Sequence, residues 1–154
     1  MLVSREVPPE RNAGLVRLTG LMLAATFAVV GVIFLAIPTK VLEAFNWLAA
    51  RIGLARSPTA GYGFYLALGV AYMYVVTLLA WQMARRPQGG VYARLLVHAK
   101  AASSALSLGL FLLQQQYLIY LANFLVDGAI ALGVWLVCVR AGGAPASAPR
   151  EPLA

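Results

Sequence analysis

The fold is decided by residues 91–139, VYARLLVHAKAASSALSLGLFLL, then QQQ, then YLIYLANFLVDGAIALGVWLVCV. Two apolar runs, 91–113 and 117–139, flank three glutamines. A helix needs about 20 apolar residues to cross roughly 30 Å of hydrocarbon, and each run has that length. Leu, Ala, Val and Phe dominate without two-residue alternation, so the runs read as membrane-spanning helices and not as barrel strands. A turn as short as 114–116 forces the two helices to lie antiparallel.

The same reading extends outward. A third apolar run covers about 15–37 and is closed by Pro38 and Lys40. A fourth covers about 62–83, between Arg56 and the pair Arg85 and Arg86. The segment RRPQGG at 85–90 carries the Pro and Gly of a tight turn. The pattern predicts an all-α membrane protein, a four-transmembrane antiparallel helix bundle in one domain at 13–140. Residues 1–12 and 141–154, rich in Pro, Gly, Ala and Ser, are expected to be flexible tails. The first run is too long for a signal peptide and no clean small-x-small site follows it, so it reads as a retained span.

The first loop, about 39–60, is the longest. Within 40–54, Val41, Leu42, Phe45, Leu48, Ala49 and Ile52 recur at helical spacing. Lys40, Glu43, Asn46 and Arg51 fall elsewhere around the helix. This is an amphipathic interfacial helix, with Trp47 suited to headgroup depth. It serves as a lid on the outer leaflet, or as a docking surface or gate.

Composition supports the membrane reading. Hydrophobic residues are 62% of the chain and charged residues 11%, against about 45–50% and about 25% in soluble domains. The net charge of +7 sits in tails and loops. No basic stripe with interleaved aromatics lies outside the spans, which argues against nucleic acid as a partner. Eight basic residues fall on the side of the tails and second loop (Arg5, Arg11, Arg17, Arg85, Arg86, Arg94, Arg140 and Arg150). Three fall on the other side, Lys40, Arg51 and Arg56. The imbalance predicts both termini in the cytoplasm. The bias toward Arg, Ala and Leu is associated with GC-rich bacterial genomes, which suggests a multi-pass protein of the bacterial inner membrane. One cysteine, Cys138, excludes an intrachain disulfide and dithiol redox chemistry.

The informative residues are polar groups inside spans. A charge at mid-bilayer costs ~2.5–3.5 kcal/mol on insertion scales, so such groups face inward and pair. At 1.5 Å per residue, Lys100 lies ~13 Å and Asp127 ~18 Å from the cytoplasmic end. A Lys100–Asp127 ion pair inside the hairpin is the least costly way to insert both. Lys100, Ser103, Ser104 and Ser107 share one face of their helix, and Tyr120, Asn123 and Asp127 share one face of the next. The resulting polar seam is either structural glue that fixes register or a site for a polar ligand, a proton or an ion.

Further candidates flank this seam. His98 lies ~160° around the helix from Lys100 at 100° per residue, and is read as an interfacial imidazole or as part of a relay. Arg94 and His98 form a candidate contact for an anionic headgroup. Tyr65 and Tyr72 are expected to point inward, as packing or as the wall of a pocket for a flat ligand. Ala101, Ala105 and Gly109 form a small-residue stripe that invites close helix contact within or between chains.

No HExxH, Walker loop or GxSxG is present, and Gly61 and Gly63 lack the context of a dinucleotide fingerprint. No metal site or cofactor is indicated, because the conventional His and Cys ligand set is missing. Three functions remain open, with catalysis the less favoured class. One is a non-catalytic subunit, assembly factor or binding module of a larger membrane complex. The second is a small transporter or a proton or ion pathway, formed as a homo-oligomer around Lys100 and Asp127. The third is an enzyme or binder for a quinone, sterol-like or isoprenoid lipid, with Asp127 or His98 as general acid or base. The expected partners are the lipid bilayer, a larger membrane complex or a second copy, and a lipid or quinone ligand.

Overall fold

Continuous apolar sequence leaves a backbone no polar surroundings to bond with, so each span satisfies its own N–H and C=O groups as a helix. The computed structural model describes residues 9–141. It contains α1 (Pro9–Ala36), α2 (Pro38–Arg51), α3 (Gly63–Arg85), α4 (Val91–Leu113) and α5 (Leu118–Ala141). Among the described residues no strand forms, and a single isolated bridge joins Ala55 to Tyr117.

Four helices are long and apolar enough to cross a membrane: Ala13–Ala36, Gly63–Arg85, Val91–Leu113 and Leu118–Cys138. Their outward faces are apolar, with Leu18, Met22, Val32, Leu106 and Leu132 all exposed. Such surface would be costly in water and is matched by acyl chains, which marks a multi-pass membrane protein.

The boundaries differ from expectation at two places. The first helix begins at Pro9, inside the segment expected to be a tail. Proline suits the first helical position, because its missing N–H would be unpaired there anyway. The remaining tail expectations fall on residues 1–8 and 142–154, outside the described residues. The loop helix spans Pro38–Arg51 and not 40–54. Pro38 again opens the helix, after a bend at Ile37. Gly53, at φ +75°, closes it. Leu54 N–H donates to the Ala49 carbonyl at 3.0 Å, a Schellman closure that the left-handed glycine permits.

Packing is pairwise. α1 lies mainly against α3, and α4 mainly against α5, with lighter α3–α4 and α1–α5 contacts joining the pairs. Gly20 explains the closeness of the first pair. A Cβ there would sit 2.8 Å from the Ala80 carbonyl oxygen and the Ala84 nitrogen. Ala24, Ala80 and Ala84 are buried along the same seam. The expected small-residue stripe plays no such part. Ala101 and Ala105 are exposed, and a Cβ at Gly109 would meet nothing within 4 Å.

The apolar core is lopsided. It holds Val16, Ala24 and Phe27 from α1 and Val76, Ala80 and Met83 from the second half of α3. Ala93 and Leu96 from early α4 and Val134 from late α5 complete it. Most of these lie toward one end of the helices, with Ala24 and Phe27 near the middle of α1, so that end is filled. The other end carries α2, which rests over α1 and α5.

Candidate functional site

Lys100 and Asp127 sit where the filled core stops. Lys100 Nζ lies 2.8 Å from Asp127 Oδ1, and the side chains are 3% and 4% exposed. The Lys100 ammonium also lies 4.6 Å from the centre of the Phe27 ring and 5.1 Å from that of Tyr72. Aromatic faces carry negative charge density, so the two rings share in stabilising the cation. Asp127 is less completely satisfied. Its Oδ2 is buried and has no hydrogen-bond partner among the described residues.

Neighbouring polar groups do find partners. Asn123 Nδ2 donates to Ser107 Oγ at 2.7 Å and to Ser103 Oγ at 3.1 Å. Ser104 Oγ donates to the Phe124 carbonyl at 2.8 Å. A Cβ at Gly128 would lie 3.0 Å from Ser104 Oγ, so glycine is what lets α4 approach α5 here. The Tyr72 hydroxyl donates to the Ala99 carbonyl at 3.0 Å and ties α3 to α4.

Above this floor lies a cavity of about 480 Å³ between the α1–α3 and α4–α5 pairs. Its walls are mostly apolar, including Phe34, Leu42, Leu66, Val70, Val126 and Ile130. Lys100, Ser103, Asn123 and Asp127 supply its polar end, and Pro38, Leu42 and Tyr62 line it toward α2. Its volume and its few convergent polar groups are those of small-molecule sites, typically about 300–1,000 Å³.

α2 and the loop after it are anchored by contacts that the sequence did not signal. Asn46 Oδ1 accepts from Ser57 N–H at 2.8 Å and Ser57 Oγ at 3.1 Å, while its Nδ2 donates to the Ser57 carbonyl at 2.9 Å. Thr39 and Tyr62 hydroxyls share a hydrogen bond of 2.6 Å. Asn46 reads from sequence as one more polar residue on the wet face of α2; only a folded-back loop gives it this task.

The sequence candidates separate into two groups. Lys100, Asp127, Ser103, Ser104, Ser107, Asn123 and Tyr72 come together around the floor of the cavity. His98 and Arg94 do not: both are exposed on the outward side of α4, and neither lines the cavity. Tyr120 is half-buried, its ring centre 5.6 Å from that of Tyr117, and it lies off the cavity wall. Tyr65 was expected to point inward and is instead 72% exposed at the cavity rim. It sits in the first turn of α3, where a hydroxyl needs no internal partner. Phe27 was not singled out, because an aromatic in an apolar span carries no sequence signal of a cation above it. Among the described residues no three His, Cys, Asp or Glu side chains cluster as metal ligands would. Compared with known proteins, the chain matches no family model, no curated protein and no solved structure.

Proposed function

We propose that this chain is an antiparallel four-span bundle of a bacterial cytoplasmic membrane that acts as a binding module for a lipid-like amphiphile. The observation that carries this reading is the cavity of about 480 Å³ with apolar walls and Lys100 and Asp127 at its floor. A bundle built only for structure gains from filling such a space, since interiors pack densely and voids forfeit contacts. Inside the bilayer Lys100 and Asp127 form an ion pair that gives the ligand a polar end to meet.

The basic residues support an orientation. Arg17, Arg85, Arg86 and Arg94 are exposed toward the filled end, and Lys40, Arg51 and Arg56 toward the α2 end. With the positive excess inside, both termini are cytoplasmic and the cavity opens on the outer side. α2 then lies as an interfacial helix, with Trp47 exposed and Arg51 3.8 Å over its ring.

Binding is better supported than catalysis or conduction. His98, the residue best suited to proton transfer near pH 7, lies on the outward face, away from Asp127. Val76, Met83, Leu96 and Val134 are fully buried below the pair, which gives a single copy no path for ions. A subunit role in a larger complex keeps one specific support, the exposed Trp47, Leu48 and Ile52 on and just after α2.

Native mass spectrometry of protein extracted from its host membrane in mild detergent tests the proposal. A defined small mass should be retained by the wild type and lost from Gly69→Phe. Gly69 lines the cavity and a Cβ there meets nothing within 4 Å, so a side chain added at 69 starts in open space. Gly69→Phe keeping the same bound mass, or neither form holding one, would overturn it.

A further inference from the structure

The floor of the cavity limits the chemistry of the head group that can be seated there, an inference that rests on the binding reading just given. Asp127 Oδ2 is a buried acceptor with no donor among the described residues. Lys100, Asn123 and Tyr72 on the floor each have at least one partner. The ammonium of Lys100 is used by Asp127 Oδ1 and by the faces of Phe27 and Tyr72. The amide of Asn123 donates to two serines, and the Tyr72 hydroxyl donates to a carbonyl. A head group that only accepts hydrogen bonds leaves Asp127 Oδ2 unpaired. A head group that donates one completes Asp127 at no cost to the rest.

Charge narrows the class again. Lys100 and Asp127 neutralise each other, and apart from tyrosine hydroxyls the cavity lining carries no further ionisable group. An added cation or anion would lose its hydration without a counter-charge to meet it. A hydroxyl group carries no such cost. The remaining wall is aliphatic and aromatic from Phe34 and Leu66 to Ile130, and suits an isoprenoid or ring-system tail.

We infer that the cavity selects a neutral, hydroxyl-bearing apolar molecule, an isoprenoid or sterol-like alcohol or a hydroquinone, whose O–H donates to Asp127 Oδ2. The selectivity lies in the donor, so the methyl ether of the same alcohol, or the quinone in place of the hydroquinone, binds more weakly. A hydrogen bond to a charged acceptor in a dry site corresponds to about a tenfold difference or more.

The test is competition between farnesol and farnesyl methyl ether on the full-length protein in lipid nanodiscs, read by displacement of a bound fluorescent isoprenoid. Farnesol should compete about tenfold better, and Asp127→Asn should narrow the gap to about twofold. Equal competition by alcohol and ether in the wild type would overturn the donor inference while leaving the binding reading in place. No uptake of the fluorescent isoprenoid, in the wild type and in Gly69→Phe alike, would overturn both. The wild-type comparison stands by itself if Asp127→Asn does not fold.

Discussion

Lys100 Nζ and Asp127 Oδ1 meet at 2.8 Å across the α4–α5 contact, with both side chains buried and one carboxylate oxygen left without a partner among the described residues. The pair therefore has two separable tasks. One oxygen holds two helices in register. The other has no donor among the described residues.

Truncating one member of the pair should expose the structural task. Asp127→Ala or Lys100→Ala leaves an uncompensated buried charge and should lower stability by about 3–5 kcal/mol. The double variant Lys100→Met with Asp127→Leu removes both charges and should recover most of that loss. Binding of a hydroxyl-bearing ligand should weaken about tenfold in the two variants that lack Asp127. Unfolding in a mild-to-harsh detergent series measures the first effect, and retention of bound small molecules the second. A double variant as unstable as either single one would argue that the pair is more than mutual neutralisation.

Close approach of α1 and α3 should depend on one glycine. Gly20→Val places atoms into the Ala80 and Ala84 backbone and should cost about 1–3 kcal/mol. Gly14→Val meets nothing within 4 Å and should cost far less. Thermal unfolding of the two variants side by side gives the comparison, and equal losses would contradict the packing described.

The fold of the loop after α2 should depend on Asn46. Asn46→Ala breaks three hydrogen bonds to Ser57 and should raise amide exchange across the 52–60 loop. The effect on global stability should stay near 0.5–1.5 kcal/mol for each bond, because the loop is partly wet. Unchanged exchange at Ser57 would remove Asn46 from the role of latch.

Membrane sidedness should follow the basic residues. With Cys138→Ser as background, Ser57→Cys should react with an impermeant maleimide added outside intact cells, and Gln88→Cys should react only after lysis. The opposite pattern would invert the topology and put the cavity on the cytoplasmic side.

Much of this architecture is legible in the residues alone. Hydropathy and length locate four long helices, because a span needs about 20 apolar residues whatever its neighbours. The i+3 and i+4 recurrence of Lys100, Ser103, Ser104 and Ser107 marks one face of α4, and charge cost pairs Lys100 with Asp127. What was not legible depends on contact between distant segments. Gly20 looks like any helix glycine until Ala80 lies against it. Asn46 looks solvated until the loop folds back. The cavity arises from where Gly69 and the serines leave space, and a void has no letter in a sequence. Tyr65 failed for a related reason: its type suggested an interior task, while its position near a helix end turned it outward.

Photolabelling tests the central claim, that the space above Lys100 and Asp127 holds a lipid-like amphiphile. A diazirine-bearing farnesol would be irradiated with the protein in nanodiscs and the modified residues mapped by mass spectrometry. Labels should concentrate on cavity residues such as Val70, Val126 and Ile130, and unlabelled farnesol should compete them away. Labels spread only over outward residues such as Leu18, Leu106 and Leu132, unaffected by competitor, would contradict it.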